Sequence, residues 1–406
     1  MIIKKLKLEK RKCPVCKSKK YKNFHVNNSY SKIDTKGIIY DYKHVLVICK
    51  YCNLVYTNPW LGYKNTNKIY SDSSIGSAFE ESKKAKKHFR CFKHFFPNKK
   101  ILNEKTKILE IGTATGVLLK NIANFYNLKK KNLDGIEPSK KLADKLKGNK
   151  YFKIQNKFLN QLAIKKKYDL IIMDNVFEHI EDPEKALKKI KNLMNTNSKL
   201  YIAVPNIFKF KNNFRDPFGH TINYYENNIK YLFALNGFKI KVIKKHYNYL
   251  NFVATIVQDK EELKVDFKKE FEKKFKINFK KDLEKKFKIV KKFVVTSSQH
   301  RKRLLKHYKN IEKDIRRKKS KIILYGASNF ALEFLKNTNL NNNILFLTDS
   351  NSIYHYKKRF GHKVLPPSDI VNINFDKIII TSGAFSSDIK NEIIKLGIKI
   401  NRIIQL

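Results

Sequence analysis

The sequence is short of cysteine, arginine, acidic residues and long apolar runs, and each shortage narrows what the chain can be. Five cysteines in 406 residues are too few for a disulfide scaffold in a chain this long. No stretch reaches the ~18 to 20 uninterrupted apolar residues that a spanning helix needs. The start, Met1-Ile-Ile-Lys-Lys-Leu-Lys7, has neither the apolar core nor the small-residue cleavage site of a secretory signal. A cytoplasmic protein is therefore expected. The 35 acids face 88 bases, for a net charge of +53, which invites a nucleic-acid or membrane reading because summed charge attracts polyanions. Yet only nine of the bases are arginine, and the lysines are spread over every segment. That distribution fits a compositional drift of the whole coding sequence better than a selected basic patch.

What is present can build cores: 42% of residues are apolar and 13% aromatic, and the length suggests two or three domains at roughly 150 residues each. Residues 1–65 carry short β-like runs, Gly37 to Tyr40 and His44 to Cys49, with two cysteine pairs. They read as a small zinc-ribbon-like module. Residues 66–100 form a helical linker with a helix from Ala78 to Phe96. Over 101–258, strands at 107–111, 133–137, 151–154, 169–173 and 199–204 alternate with helices at 116–126, 138–148 and 183–195. Such alternation predicts a doubly wound parallel sheet. After a helix at 226–236, strands at 238–243 and 249–258 add an antiparallel edge hairpin and bring the total to seven. Residues 259–320 read as an amphipathic helical connector, with Phe267, Phe271, Phe275, Leu304, Leu305 and Tyr308 on its apolar faces. Residues 321–406 repeat the α/β logic as a smaller Rossmann-like domain, with strands 321–325, 344–348 and 377–381 and helices 330–337 and 386–395.

Cys13-Pro-Val-Cys16 and Cys49-Lys-Tyr-Cys52 place four thiols in two knuckles. Four thiolates saturate a tetrahedral zinc ion and leave no position for water or substrate, so the expected site is structural. The unpaired Cys91, in a helical pattern, reads as a buried apolar residue.

Ile108-Leu-Glu-Ile-Gly-Thr-Ala-Thr-Gly116 is a strand, a small-residue turn and a helix start. Backbone can approach a ligand closely where side chains are small, and glycine supplies the turn's unusual dihedrals. A second strand ends at Glu137, 21 residues beyond Gly116, where an acid can accept hydrogen bonds from both hydroxyls of a ribose. Ala114, Leu118 and Leu119 break the dinucleotide G-x-G-x-x-G pattern.

On these residues, 101–257 resembles the class I S-adenosylmethionine-dependent methyltransferases. The resemblance implies a cofactor site of Glu110, Gly112, Thr113, Ala114 and Gly116, with Glu137 as the ribose acid, Asn156 reading adenine and Asp174 beside the cofactor. The family's middle glycine is Ala114 here. Tyr168 to Ile180 followed by Asp182-Pro183 resembles the fourth strand and the "EH, then DP" turn of many small-molecule methyltransferases. The cysteine pairs, this core and Ile322-Ile-Leu-Tyr-Gly-Ala-Ser328 together resemble the three-part sugar C-methyltransferases, which act on nucleotide-linked keto-sugars. Where that family has a tyrosine, histidine and glutamate cluster, Asp216-Pro-Phe-Gly-His220 keeps only the histidine.

Methyl transfer needs an aligned acceptor and removal of its proton. His179, Glu178 and His220 are the candidate catalytic residues, since an imidazole titrates near neutrality and both histidines fall on the ligand side of such a sheet. Either histidine could instead fix a loop, and Glu178 could orient a histidine or cap a helix. Tyr224 and Tyr225 are candidate walls of the substrate site. Gly326 and Asp349 could hold a second nucleotide, such as the substrate's diphosphate, or serve packing alone. The leading expectation is methylation of a sugar or nucleotide-linked sugar, at carbon or oxygen, with S-adenosylmethionine as cofactor, a structural zinc, and no specific nucleic-acid partner or membrane insertion. The alternative is an RNA methyltransferase using the basic surface and the zinc module, although Asn/Asp-Pro-Pro-Tyr and catalytic-cysteine motifs are absent.

Overall fold

The computed structural model describes residues 3–33, 39–72, 78–98, 101–207, 220–246, 249–257, 302–382 and 386–406. The helices expected around Phe267, Phe271 and Phe275, and the 216–219 stretch, lie outside them. The chain divides into two units: Leu6–Tyr30 with Tyr42–Val294, and Met1–Lys5 with Ser31–Asp41 and Val295–Leu406.

The chain opens with strands β1 (Ile3–Lys5), β2 (Tyr21–Ile33), β3 (Ile39–Cys49) and β4 (Val55–Thr57). β3 runs antiparallel to β4, with Val47 opposite Tyr56, and β1 pairs in parallel with Ile39–Asp41. The two long strands exceed the short runs expected from sequence. Helices α1 (Gly62–Asp72) and α2 (Ala78–Lys93) follow; α1 is a helix that the polar composition of 61–77 does not announce.

The core then alternates β5 (Ile108–Ile111), α3 (Val117–Tyr126), β6 (Leu133–Ile136), α4 (Lys140–Leu146), β7 (Lys153–Gln155), β8 (Tyr168–Asp174), α5 (Pro183–Asn192) and β9 (Met194–Pro205). β5 and β6 are buried along their whole length, as helices on both faces of a parallel sheet require. Local chemistry sets the helix starts. The Ser139 hydroxyl caps α4 by accepting from Leu142 N, and Asp182 caps α5 by accepting from Lys185 N, with Pro183 in the first turn. The helix expected over 183–195 ends at Asn192 because Met194 already pairs with Tyr168 as the start of a longer β9.

After β10 (Ile222–Asn223) and α6 (Glu226–Leu235), β11 (Phe238–His246) and β12 (Tyr249–Ile256) form the antiparallel hairpin. The seven strands lie in the order β11-β12-β9-β8-β5-β6-β7. β12 is antiparallel to β9, and β9, β8, β5, β6 and β7 are parallel. The two-residue β10 leaves this sheet and pairs antiparallel with β4, Ile222 opposite Tyr56. It ties the stretch after His220 to β4, which pairs in turn with β3, the strand that ends at Cys49.

In the other unit a helix over 302–317, α7, buries Tyr308, Ile311 and Ile315 against a core that Leu304 and Leu305 flank. It precedes β13 (Ile322–Tyr325), α8 (Asn329–Lys336), β14 (Ile344–Thr348), β15 (Lys358–Arg359), β16 (His362–Leu365), β17 (Lys377–Ile380), α9 (Ser386–Lys395) and β18 (Ile403–Gln405). The six strands are ordered β15-β16-β14-β13-β17-β18, parallel except between β15 and β16. Among the described residues no helix is long and apolar enough to cross a membrane.

Candidate active site

The loop after β5 leaves the sheet through Gly112, Ala114 and Gly116, all at positive φ. At Gly112 a side chain would strike Val176 Cγ2 at 2.4 Å, and at Gly116 the ring of Phe152 at 2.5 Å. Both glycines are thus required by the turn and by the chain's own packing. Thr113 turns inward, its hydroxyl donating to Ile136 O at 3.2 Å, so the loop offers its backbone there rather than that hydroxyl.

Opposite the loop, Glu137 accepts from Ala114 N at 2.8 Å through one oxygen and from Ser139 N at 2.9 Å through the other. Burial raises its pKa against the lowering effect of those two bonds. Asn156 sits exposed beside it, its amide donating to Glu137 O and Pro138 O, both at 2.9 Å. Glu110 is fully buried behind the loop, and its Oε2 has no hydrogen-bond partner among the described residues. Burial, with Asp174 and Glu137 nearby, holds its carboxyl well above the usual range. Asp174, at the end of β8, bonds to His88 Nδ1 of α2 at 2.6 Å. Sequence reading missed His88, although its spacing from Phe92, Phe95 and Phe96 marks one face of a helix.

Glu178, His179 and His220 come together at the carboxyl edge of β8. Glu178 Oε1 lies 3.9 Å from His179 Nε2 and 3.7 Å from His220 Nε2. The two rings meet edge to face at 4.7 Å. Neither carboxylate oxygen of Glu178 has a hydrogen-bond partner among the described residues, and burial pushes its pKa up to about 8. Burial first, then His179 and His44, holds the pKa of His220 well below 6.5, so that imidazole is neutral. His179 is the most open of the three, with 23% of its side chain exposed.

Contacts from Thr57 of β4 and from Arg11 fix this cluster. Thr57 Oγ1 donates to His220 O at 3.3 Å, Thr57 N to Thr221 O at 3.0 Å, and Thr221 N to Glu178 O at 3.1 Å. Arg11 lies over the rings of Tyr56 and Trp60 and donates to Thr57 O, Glu181 O and Thr221 O. Burial lowers its pKa to about 10. Tyr224 and Tyr225, the candidate walls of the substrate site, are both buried. Tyr224 stacks on Phe177 at 5.4 Å and is fully buried.

The four cysteines form a second cluster. Cys13 and Cys52 Sγ are 3.5 Å apart, Cys16 and Cys49 Sγ 3.4 Å, and all four sulfurs lie within 4.8 Å of one another. A tetrahedral ion with bonds of ~2.3 Å spaces its sulfurs by ~3.8 Å, so the donor set fits zinc. The two knuckles repeat each other: Lys17 N donates to Cys13 O and Asn53 N to Cys49 O, both at 3.0 Å, with Lys17 and Asn53 at φ 60° and 55°. Cys91 is buried, and burial raises its thiol pKa.

In the other unit Asp349 accepts from Ala327 N at 2.7 Å and from Asn351 N at 2.8 Å. An acid after the second strand closes the loop of the first, as Glu137 does with Ala114 and Ser139. Gly326, at φ 112°, bonds to Thr348 O, and a Cβ there would meet Thr381 Oγ1 at 2.8 Å.

Residues 82–241 match the family model described as a methyltransferase domain, and residues 318–404 match one described as C2185-like, N-terminal. Comparison with curated proteins finds no match. Among solved structures the chain is similar to an S-adenosylmethionine-dependent methyltransferase from Clostridium acetobutylicum, at 14% identity and TM-score 0.32 over 38% of this chain and 85% of that one. It is also similar to a SAM-dependent methyltransferase from Aquifex aeolicus, at 18% identity and TM-score 0.33 over 38% and 85%. A third similar structure is the glycopeptide N-methyltransferase MtfA, at 7% identity and TM-score 0.34 over 42% and 90%. The chain carries a methyltransferase domain.

Proposed function

We propose that the chain transfers a methyl group from S-adenosylmethionine to a sugar or nucleotide-linked sugar, with the acceptor's proton removed at Glu178, His179 and His220. The observation that carries this reading is the gathering of two imidazoles and a buried carboxylate at the carboxyl edge of β8, beside the strand whose loop faces Glu137, where open α/β sheets bind ligands. When bound, the cofactor supplies a methyl group already activated by its sulfonium. Glu137 keeps a lone pair on each oxygen for a ribose hydroxyl, and Asn156 stands next to it for the adenine. Glu110 Oε2 is an acceptor left for a donor on the ligand. Gly112 and Gly116 carry no side chain, and Thr113 turns its hydroxyl to Ile136 O, so the loop brings backbone rather than bulk to the cofactor. Neutral His220 and the more open His179 flank the acceptor's proton. Zinc on Cys13, Cys16, Cys49 and Cys52 holds the strands that anchor His220. The Asp349 arrangement supports a nucleotide-holding role for the carboxyl-terminal unit, with Gly326 in its loop.

The test is methyl transfer from labelled cofactor to a panel of nucleotide-sugars at ~0.15 M salt, where exposed charges are largely screened. Transfer to a sugar is expected, falling by about 10² or more in His220→Ala, as loss of a proton-removing group predicts. Salt-resistant methylation of RNA with no sugar acceptor would overturn it.

A further inference from the structure

We propose that Glu178, His179 and His220 form a site for one divalent first-row cation, which holds the oxygen of the acceptor. The inference rests on the sugar reading above and says how that site works. It starts from Glu178. A buried carboxylate with no hydrogen bond on either oxygen among the described residues is costly unless it is protonated or meets a cation. Among the described residues, the groups facing it are two imidazoles. The N···O distances of 3.7 and 3.9 Å exceed a hydrogen bond. They sit close to the ~3.0 to 3.4 Å that separates neighbouring donor atoms around an ion with ~2.1 Å bonds. One atom from each of the three residues lies within 4.8 Å of the others, so a small inward movement closes all three on one ion.

Two imidazoles and a carboxylate suit divalent transition ions rather than calcium. Three protein ligands leave coordination positions open, unlike the four sulfurs of the cysteine site. A sugar presents neighbouring hydroxyls that can fill those positions. An ion lowers the pKa of an oxygen bound to it, so the three side chains act on the acceptor's proton through the ion they hold rather than as direct bases, and the hydroxyl proton leaves to water. The ligands stand on fixed supports, since Thr221 N bonds Glu178 O and Thr57 Oγ1 bonds His220 O.

The experiment uses the full chain with its cysteines already filled by zinc, dialysed against Co2+, with bound metals counted by emission spectroscopy. One Co2+ per chain beyond the zinc is expected, together with a loss of at least about tenfold in Co2+ affinity in both His179→Ala and Glu178→Gln. Paramagnetic shifts of the His179 and His220 ring protons read the site in the parent chain without any substitution. No second metal, unshifted rings, or equal affinity in a folded His179→Ala chain would overturn the proposal. A chain that binds Co2+ here and methylates no sugar keeps the cation site and removes the sugar reading. Sugar methylation that persists with the second metal stripped does the reverse.

Discussion

Arg11 Nη2 donates to Thr221 O at 2.6 Å, across 210 residues of sequence. Through this bond an arginine two residues before the first cysteine fixes the backbone next to His220. Its other donors reach Thr57 O and Glu181 O, so one planar fork gathers three separate stretches of chain.

Arg11→Ala leaves those carbonyls short of a donor, at roughly 1 to 3 kcal/mol for each that stays dry. Arg11→Lys should recover little, because an ammonium lacks the fork. Urea denaturation is expected to show a lower midpoint for both variants. Parent-like stability of Arg11→Lys would refute the fork argument.

Cys49→Ser should lower bound zinc by one equivalent per chain and shift unfolding to lower denaturant, since ligand binding to the folded state is folding free energy. Because β4 pairs with β10, the His220 ring signals should also move. Undiminished metal in Cys49→Ser would rule out the four-sulfur site.

Glu137→Gln keeps one acceptor oxygen and loses the charge that two main-chain donors stabilise. Calorimetry should find S-adenosylmethionine bound about 5 to 150 times more weakly, the equivalent of roughly 1 to 3 kcal/mol. Unchanged affinity would remove Glu137 from the cofactor site.

The pKa of Glu110 is raised in the folded chain, so its contribution has a definite sign. Protonated Glu110 favours the folded state, and that stability is lost as pH rises from the unfolded value of about 4.3 through the folded one. Glu110→Gln removes this dependence. The variant should gain stability relative to the parent on going from pH 5 to pH 8 in paired urea titrations. A constant difference across that range would contradict the burial argument.

The β5 loop and Glu137 are legible in the sequence because spacing within one β-α-β unit fixes them: the acid lies 23 residues from the amide it accepts. The cysteine cluster is legible for the same reason, since each pair sits in its own knuckle. Arg11, Thr57 and His88 were not, because their partners lie 210, 163 and 86 residues away. β10 is too short to show any periodicity. The stacking of Tyr224 on Phe177 was not legible either.

The two amides that grip Glu137 also determine when its side chain is ordered. A free glutamate gives up roughly 0.5 to 1.5 kcal/mol of rotamer freedom when a ligand pins it. Here that cost falls at folding, because Ala114 N and Ser139 N already hold one oxygen each. The carboxylate and the loop after β5 therefore move as one rigid jaw. A substitution that displaces the backbone at Ala114 will displace the acid with it, and a cofactor will register the two changes as one.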